Sequence, residues 1–460
     1  MQREQLKIAM LSVHSSPLGE LGTQDTGGMS VYIRELAEEL GRRGHRVDIF
    51  TRLQDSQGDR TVRLSETVNL IHLRAGANGH LHKWALYPHL ADFCRELDGF
   101  RAEQGVHYDL VHSHYWLSGL VGNWARDQWE VPHIILFHTL GALKNMTVEA
   151  EREPDFRLAT ERELVETCDR VLAPTPRERD HLIRYYGARP ERIGVVPCGV
   201  NLELFRPMDK ARARQQLGFS PEEAVVLFVG RFAPIKGIER LLAAATHVQE
   251  PRRLRLVIVG GNGDETSESQ QVRHLSEVYR IQEAVRLAGR VAQEQLPPYY
   301  SAADVLVVPS YYESFGLVAL ESLACGTPVV ATEVGVMPSI LREGVNGCVV
   351  SEGSPRALAQ GIDRVLGSAR LLSGEIIRGS VLRFAWKHVA AAMIDQYKIL
   401  LRCRRVPTPA PIGSRWKWGR VPTPGSPQVG ERLGRSHRYW GPGDRLRLVG
   451  RTTDHEKCDW

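Results

Sequence analysis

Two glutamates, Glu313 and Glu321, bracket the stretch of this chain best suited to hold a reactant. They lie in Tyr311-Tyr312-Glu313-Ser314-Phe315-Gly316-Leu317-Val318-Ala319-Leu320-Glu321, between the apolar run from Asp304 to Pro309 and the turn and strand of Cys325-Gly326-Thr327-Pro328-Val329-Val330. The pattern reads as strand, tight loop, helix, turn and strand, with Ser314 as the expected N-cap and Leu317, Leu320 and Leu323 as a buried helical face. Gly316 lets the backbone approach a ligand closely. A helix that starts at the carboxyl end of a parallel strand offers unbonded N–H groups to an anion. Glu321 is expected about two turns along, ~10 Å further down the axis. A diphosphate with a hydroxyl-rich ring at either end has that shape. The helix end would take the phosphates, one carboxylate the sugar hydroxyls and the other the ribose hydroxyls.

Arg231 and Lys236 stand in the loop Gly230-Arg231-Phe232-Ala233-Pro234-Ile235-Lys236-Gly237, directly after an apolar strand. Two cations there can neutralise a leaving diphosphate. In the first half, Gly27-Gly28 opens a helix and lets backbone N–H groups approach a phosphate. His112 and His114 project to one side of a strand, a pair that would suit a metal, but no third ligand at suitable spacing is evident, so no metal is expected. Lys83, Tyr115, Thr139, Lys144 and Arg157 are hydroxyls and cations of the kind that bind a phosphate monoester by charge-assisted hydrogen bonds.

The elements that must position these residues alternate between strand and helix. Ile33, Leu36, Ala37 and Leu40 form one helical face between strands at Leu6–Val13 and Arg46–Thr51. Further strands are read at Asp109–His114, His133–Thr139, Arg170–Thr175 and Ile193–Val200, and a second set begins at Ala224. Such alternation means open, mostly parallel sheets. The expected organisation is an α/β chain with one domain over residues 1–205, a second over 206–380 and a last helical segment over 381–402. Residues 405–460 differ in kind: rich in Pro, Gly and Arg, they repeat Arg-Val-Pro-Thr-Pro at Arg405 and Arg420, and read as a disordered basic tail that could touch a membrane surface.

The formal charge of +5 over 460 residues misleads. Residues 401–460 hold 13 Lys/Arg against 5 Asp/Glu, leaving 46 against 49 in residues 1–400, so no nucleic-acid partner is expected. Seven cysteines without a C-x-x-C pair, a polar start and no apolar run of 18 residues point to a cytoplasmic protein without a transmembrane segment. Leu256-Val257-Ile258-Val259-Gly260-Gly261-Asn262-Gly263 is not a dinucleotide fingerprint.

The block from Glu313 to Val330 resembles the Glu-x7-Glu signature of retaining glycosyltransferases with GT-B architecture, in the large family (glycosyltransferase family 4) that includes sucrose synthases. The resemblance covers about residues 6–402. It implies two Rossmann-like domains facing across a cleft, with a C-terminal helix crossing back to the first. It also implies transfer of a hexosyl unit from a UDP-sugar by an enzyme needing no cofactor, with Mg2+ tolerated but not essential. Asp25-Thr26-Gly27-Gly28 resembles the family's diphosphate-contacting loop, Arg231 and Lys236 its leaving-group clamp, and Phe137-His138-Thr139-Leu140 its active-site histidine region. By the same resemblance Glu313 orients the sugar and Glu321 the ribose, while Phe315, Gly316, Leu317 and Val318 hold phosphate and Arg290 and Val291 meet the base. The set Lys83, Tyr115, Thr139, Lys144 and Arg157 is similar to the acceptor-phosphate contacts of two members, an inositol-phosphate N-acetylglucosaminyltransferase and sucrose-phosphate synthase. The spacing from Asn145 to Arg157 departs from the former. The resemblance favours inositol phosphate as acceptor over fructose 6-phosphate or a lipid or polysaccharide, and leaves open a homodimer. UDP-sugar epimerases and non-catalytic nucleotide-sugar binders share the fold, but the motif frame offers no acid and base beside the sugar ring.

Overall fold

Short β-branched runs, too apolar for a surface strand and bounded by glycine-rich turns, can bury both faces only inside a parallel sheet covered by helices. The chain makes two of these. A computed structural model describes residues 5–20, 22, 26–54, 58–149, 152–250, 252–261, 267–368 and 373–403. The basic tail read at 405–460 lies outside the described residues.

The first sheet contains β1 (Lys7–Leu11), β2 (Arg46–Arg52), β3 (Thr61–Arg63), β4 (Val68–Leu73), β5 (Leu110–His114), β6 (His133–Leu136), β7 (Arg170–Ala173) and β8 (Ile193–Val195). Its order is β3-β4-β2-β1-β5-β6-β7-β8, and only β3 runs antiparallel to its neighbour. The second contains β9 (Glu223–Val229), β10 (Arg253–Val259), β11 (Val285–Gly289), β12 (Val305–Val308), β13 (Val329–Thr332) and β14 (Gly347–Val350), all parallel, in the order β11-β10-β9-β12-β13-β14. The β3–β4 pair is not legible in sequence, because β3 is three residues long with both ends exposed.

Each order reverses once, between β1 and β5 and between β9 and β12. At such a reversal the loops leave in opposite directions and open a crevice at the strand ends, where ligands bind in open α/β sheets. The glycine pair follows β1, Tyr115 follows β5, Arg231 follows β9 and Glu313 follows β12.

The last helix follows the second sheet in sequence yet packs on the first. This helix (Trp386–Cys403) buries Val389, Ala390, Met393, Tyr397 and Leu400. The Tyr397 hydroxyl meets His112 Nδ1 at 2.8 Å, and Arg170 Nε donates to Gln396 Oε1 at 2.7 Å. A methyl on Gly199 would come within 2.4 Å of the Trp386 ring, so glycine is what lets the helix start lie against the segment that follows β8. Each fully buried apolar side chain contributes about 2 kcal/mol, which makes the return of the helix a strong tie.

Candidate active site

Helix α1 (Gly28–Arg42) begins at the glycine pair, and a Cβ on Gly28 would lie 3.4 Å from Leu317 Cδ1. Leu317 is the first residue of helix α2 (Leu317–Ala324), so the glycine loop of the first sheet faces the helix start of the second. Ser314 does not cap that helix. Gly316 occupies the N-cap with φ +108, a conformation open to glycine and costly for serine, and the Ser314 hydroxyl instead donates to Glu178 Oε2 at 2.6 Å. The helix therefore starts later than the motif suggests, and Glu321 is its fifth residue, little more than one turn in. Phe315 turns its ring into the core and leaves its backbone at the loop; Leu317 and Val318 are partly buried on the same core.

The loops after β9 and β12 are adjacent because their strands pair. A Cβ on Gly237 (φ +66) would meet the Pro309 carbonyl oxygen at 2.3 Å, so only glycine allows the Lys236 turn to lie on the end of β12. Lys236 Nζ then donates to Glu313 Oε1 at 2.6 Å, and the Ser310 hydroxyl donates to the same oxygen at 2.8 Å. Both partners of this ion pair remain partly open, at 23% and 12% exposure, so a ligand hydroxyl or phosphate can share them. Arg231 stands at the head of the same loop, directly after Gly230.

Glu321 is buried and accepts from the Tyr300 hydroxyl at 2.6 Å. Burial pushes its pKa up to about 7, against hydrogen bonds from Tyr300 and Gln293. Gln293 in turn accepts from Arg34 of α1 at 2.7 Å, a bond across 259 positions that joins a helix beside the first sheet to a segment after β11 of the second. Arg290 likewise pairs with Glu20 at 2.9 Å, while Val291 packs against the core.

His138 lies in the loop after β6 with φ +60, and Tyr115 after β5 has φ +76. Left-handed backbone at two bulky residues is strained and concentrates at functional sites. His138 Nε2 lies 2.9 Å from His114 Nδ1, and its ring stands edge-on to Tyr32 at 5.2 Å. Burial lowers the pKa of His138 to about 3 and that of His112 to about 3, so these rings are neutral at pH 7. The buried His114 Nε2 has no hydrogen-bond partner among the described residues. A buried lone pair is less costly than a buried N–H, which puts the His114 proton on Nδ1, donating to His138 Nε2, and the His138 proton on Nδ1. His138 is thus a hydrogen-bonding group and not an acid at neutral pH. Among the described residues no group of three or more His, Cys, Asp or Glu could hold a metal ion.

Three of the five residues read as an acceptor-phosphate set, Lys83, Lys144 and Arg157, converge on a residue that the sequence reading missed, and Thr139 and Tyr115 pack on Arg157. Glu153 Oε1 takes Lys144 Nζ at 2.7 Å, Lys83 Nζ at 3.0 Å and Arg157 Nη1 at 2.7 Å. Arg157 Nη2 also donates to the carbonyl and hydroxyl oxygens of Thr139 at 2.9 and 3.1 Å, and its guanidinium lies 4.8 Å from the centre of the Tyr115 ring. On its other side Arg157 Nε meets Glu161 Oε1 at 2.7 Å. Burial pushes the Glu153 pKa up, but Arg157, Lys83 and Lys144 outweigh it and hold the value at about 2. The spacing Glu153, Arg157, Glu161 was the available signal: Arg157 and Glu161 lie four apart on the helix Asp155–Thr167, and Glu153 stands just before its start.

Glu178 is the second residue missed. It reads as the N3 position of a capping box, and Thr175 does accept from its backbone N–H at 3.0 Å. Its carboxyl, however, is buried where a 170 Å³ cavity is lined by Thr175, His181, Tyr312, Glu313 and Ser314. Burial pushes its pKa up to about 8, against the Ser314 hydrogen bond, with Glu161 adding to the rise. Glu178 and Glu321 therefore hold protons in the folded chain that an unfolded chain releases near 4.5, the ordinary value of a glutamate. Their protonation favours the fold below that value, and this contribution is lost as pH rises through 7 to 8. Thermal unfolding of the unliganded protein should show its midpoint falling by about 5 °C between pH 5.5 and 8.5, and Glu178→Gln should flatten that slope. An equal slope in the variant would show that Glu178 does not cause it.

The family described as Glycosyltransferase Family 4 matches residues 26–204, and the one described as Glycosyl transferases group 1 matches residues 209–373. A D-inositol 3-phosphate glycosyltransferase of Streptomyces bingchenggensis is 41% identical over 412 residues, covering 87% of this chain and 90% of that one. The chain is a family 4 glycosyltransferase. Sucrose-phosphate synthase from Thermosynechococcus elongatus has the same GT-B fold, with a TM-score of 0.79 and 36% identity over 86% of this chain and all of that chain. Anabaena Alr3699/HepE in complex with UDP-glucose shares the fold, with a TM-score of 0.65 at 20% identity over 86% of this chain and all of that one. No helix among the described residues of the glycosyltransferase is long and apolar enough to cross a membrane.

Proposed function

We propose that this glycosyltransferase moves a hexosyl unit from a UDP-sugar to a small phosphorylated acceptor, with retention at the anomeric carbon and with inositol phosphate as the favoured acceptor. The observation that carries the reading is the convergence of Lys83, Lys144, Arg157, Thr139 and Tyr115 on segments that follow strands of the first sheet, where the Leu140 N–H donates to the hydroxyl of Tyr312, the neighbour of Glu313. Three cations and a hydroxyl form a site for a phosphoryl group and not for a neutral polysaccharide. The relatives named D-inositol 3-phosphate glycosyltransferase support the acceptor, and the likeness to sucrose-phosphate synthase supports fructose 6-phosphate as the second choice.

In this reading the anomeric carbon–oxygen bond to the UDP β-phosphate breaks while the acceptor hydroxyl forms its bond on the same face. The leaving phosphate takes the acceptor's proton, so no protein base is needed. Lys236, Arg231, the Gly27-Gly28 loop and the N–H groups at Phe315–Val318 stabilise the departing diphosphate. Glu313 and His138 hold hexose hydroxyls, Glu321 the ribose, and Arg290 and Val291 the base. No metal or cofactor takes part.

UDP release should be measured with UDP-glucose or UDP-N-acetylglucosamine, each with inositol phosphate, fructose 6-phosphate or no acceptor. Release that depends on one phosphorylated acceptor is expected and names both substrates. Equal release without any acceptor would overturn the transfer reading in favour of hydrolysis.

A further inference from the structure

We propose that Glu153 is a specificity-determining internal anion, a carboxylate that occupies the cation cluster until the phosphoryl group of the acceptor takes over Lys83 and Lys144. The inference rests on the proposed phosphorylated acceptor. One oxygen, Oε1, receives all three cations, and the side chain is only 2% exposed. Arg157 is fully buried, with Nε on Glu161 and Nη2 on Thr139, whereas the two lysines keep 18% and 14% exposure. Arg157 Nη1, though 2.7 Å from Glu153 Oε1, makes no directed hydrogen bond and is a buried donor without one. A phosphoryl oxygen is the acceptor such a donor lacks.

The charge count points the same way. Lys83, Lys144 and Arg157 bring three positive charges to this cluster, and Glu153 and Glu161 offset two of them. Without Glu153 the three cations would repel one another in a largely buried site, and an arriving anion would relieve that repulsion. The backbone of Glu153 is pinned on both sides by Asn145, whose amide oxygen accepts from the Glu153 N–H at 2.6 Å and whose amide nitrogen donates to its carbonyl at 2.8 Å. The exchange is therefore confined to the side-chain torsions. A carboxylate that must be displaced sets a threshold: a dianionic phosphoryl group passes it, while a hydroxyl or a single carboxylate does not.

The test is thermal unfolding of the full chain and of Glu153→Gln, titrated with inorganic phosphate against chloride at equal ionic strength. The variant should unfold at lower temperature without phosphate and regain stability with it, at a phosphate concentration about 10-fold lower than the wild type needs. Its KM for the phosphorylated acceptor should fall while its KM for the UDP-sugar stays unchanged. Phosphate protecting the wild type as well as or better than the variant would overturn the proposal and make Glu153 a holder of the lysines. If Glu153→Gln does not fold, Glu153→Asp, which keeps the charge but draws the oxygen back by one methylene, should shift the phosphate titration in the same direction; an unchanged titration overturns the proposal. Transfer only to phosphate-free acceptors would overturn the acceptor reading, whereas the anion exchange is judged by phosphate affinity alone.

Discussion

Replacing Glu313 with alanine is expected to abolish measurable transfer, lowering kcat by about 10³-fold or more, while UDP still binds. The carboxylate sits at the end of β12 with one oxygen on Lys236 at 2.6 Å and Ser310 at 2.8 Å. Its proposed partner is the transferring hexose, which gains positive charge as the bond to phosphate lengthens. Loss of the carboxylate removes both the orientation of the ring and the group that fixes the Lys236 ammonium beside the leaving phosphate. Lys236→Met should cost less, about 10²-fold in kcat, because Arg231 and the helix start remain. The UDP dissociation constant of Glu313→Ala, measured by calorimetry, separates the cases. Unchanged UDP affinity with lost turnover is the expected result, and retained turnover would remove Glu313 from the chemistry.

Arg157→Ala is expected to have the largest effect on stability, about 3–5 kcal/mol, with a fall in thermal midpoint of about 10 °C. The guanidinium is fully buried and serves Glu153, Glu161 and Thr139 at once. Truncation leaves the buried Glu161 carboxylate without its cation and takes one of three cations from Glu153, which keeps Lys83 and Lys144. Glu161 also accepts from the Tyr186 hydroxyl at 2.6 Å and the Gly141 N–H at 3.0 Å, so the damage extends to the loop that carries His138. Arg157→Lys should not restore the midpoint, because an ammonium cannot reach three partners in the planar geometry of the fork. Circular dichroism melts of the three proteins check this, and a lysine variant as stable as the wild type would contradict it.

The sequence alone determined the parts that are local. Apolar runs bounded by turns marked β9, β12 and β13 of the second sheet and six of the eight strands in the first, because a buried strand needs only its own residues to be recognised. The motif Glu313 to Glu321, the Arg231–Lys236 loop and the glycine pair were legible for the same reason. Each is a strand end whose chemistry is written in consecutive positions. Ser314 was misread as a cap because φ at Gly316 is a property of the folded loop and not of residue type. Only the tertiary structure decided which loops meet. The order of the strands places β9 beside β12, and that pairing brings Lys236 to Glu313 across 77 positions. Likewise Lys83, Lys144 and Arg157 lie on separate segments that share one carboxylate only because the elements carrying them pack together at the strand ends of the first sheet. Glu153 and Glu178 escaped notice because an exposed and a buried glutamate are identical in sequence, and burial, which alters their charge and partners, exists only after folding.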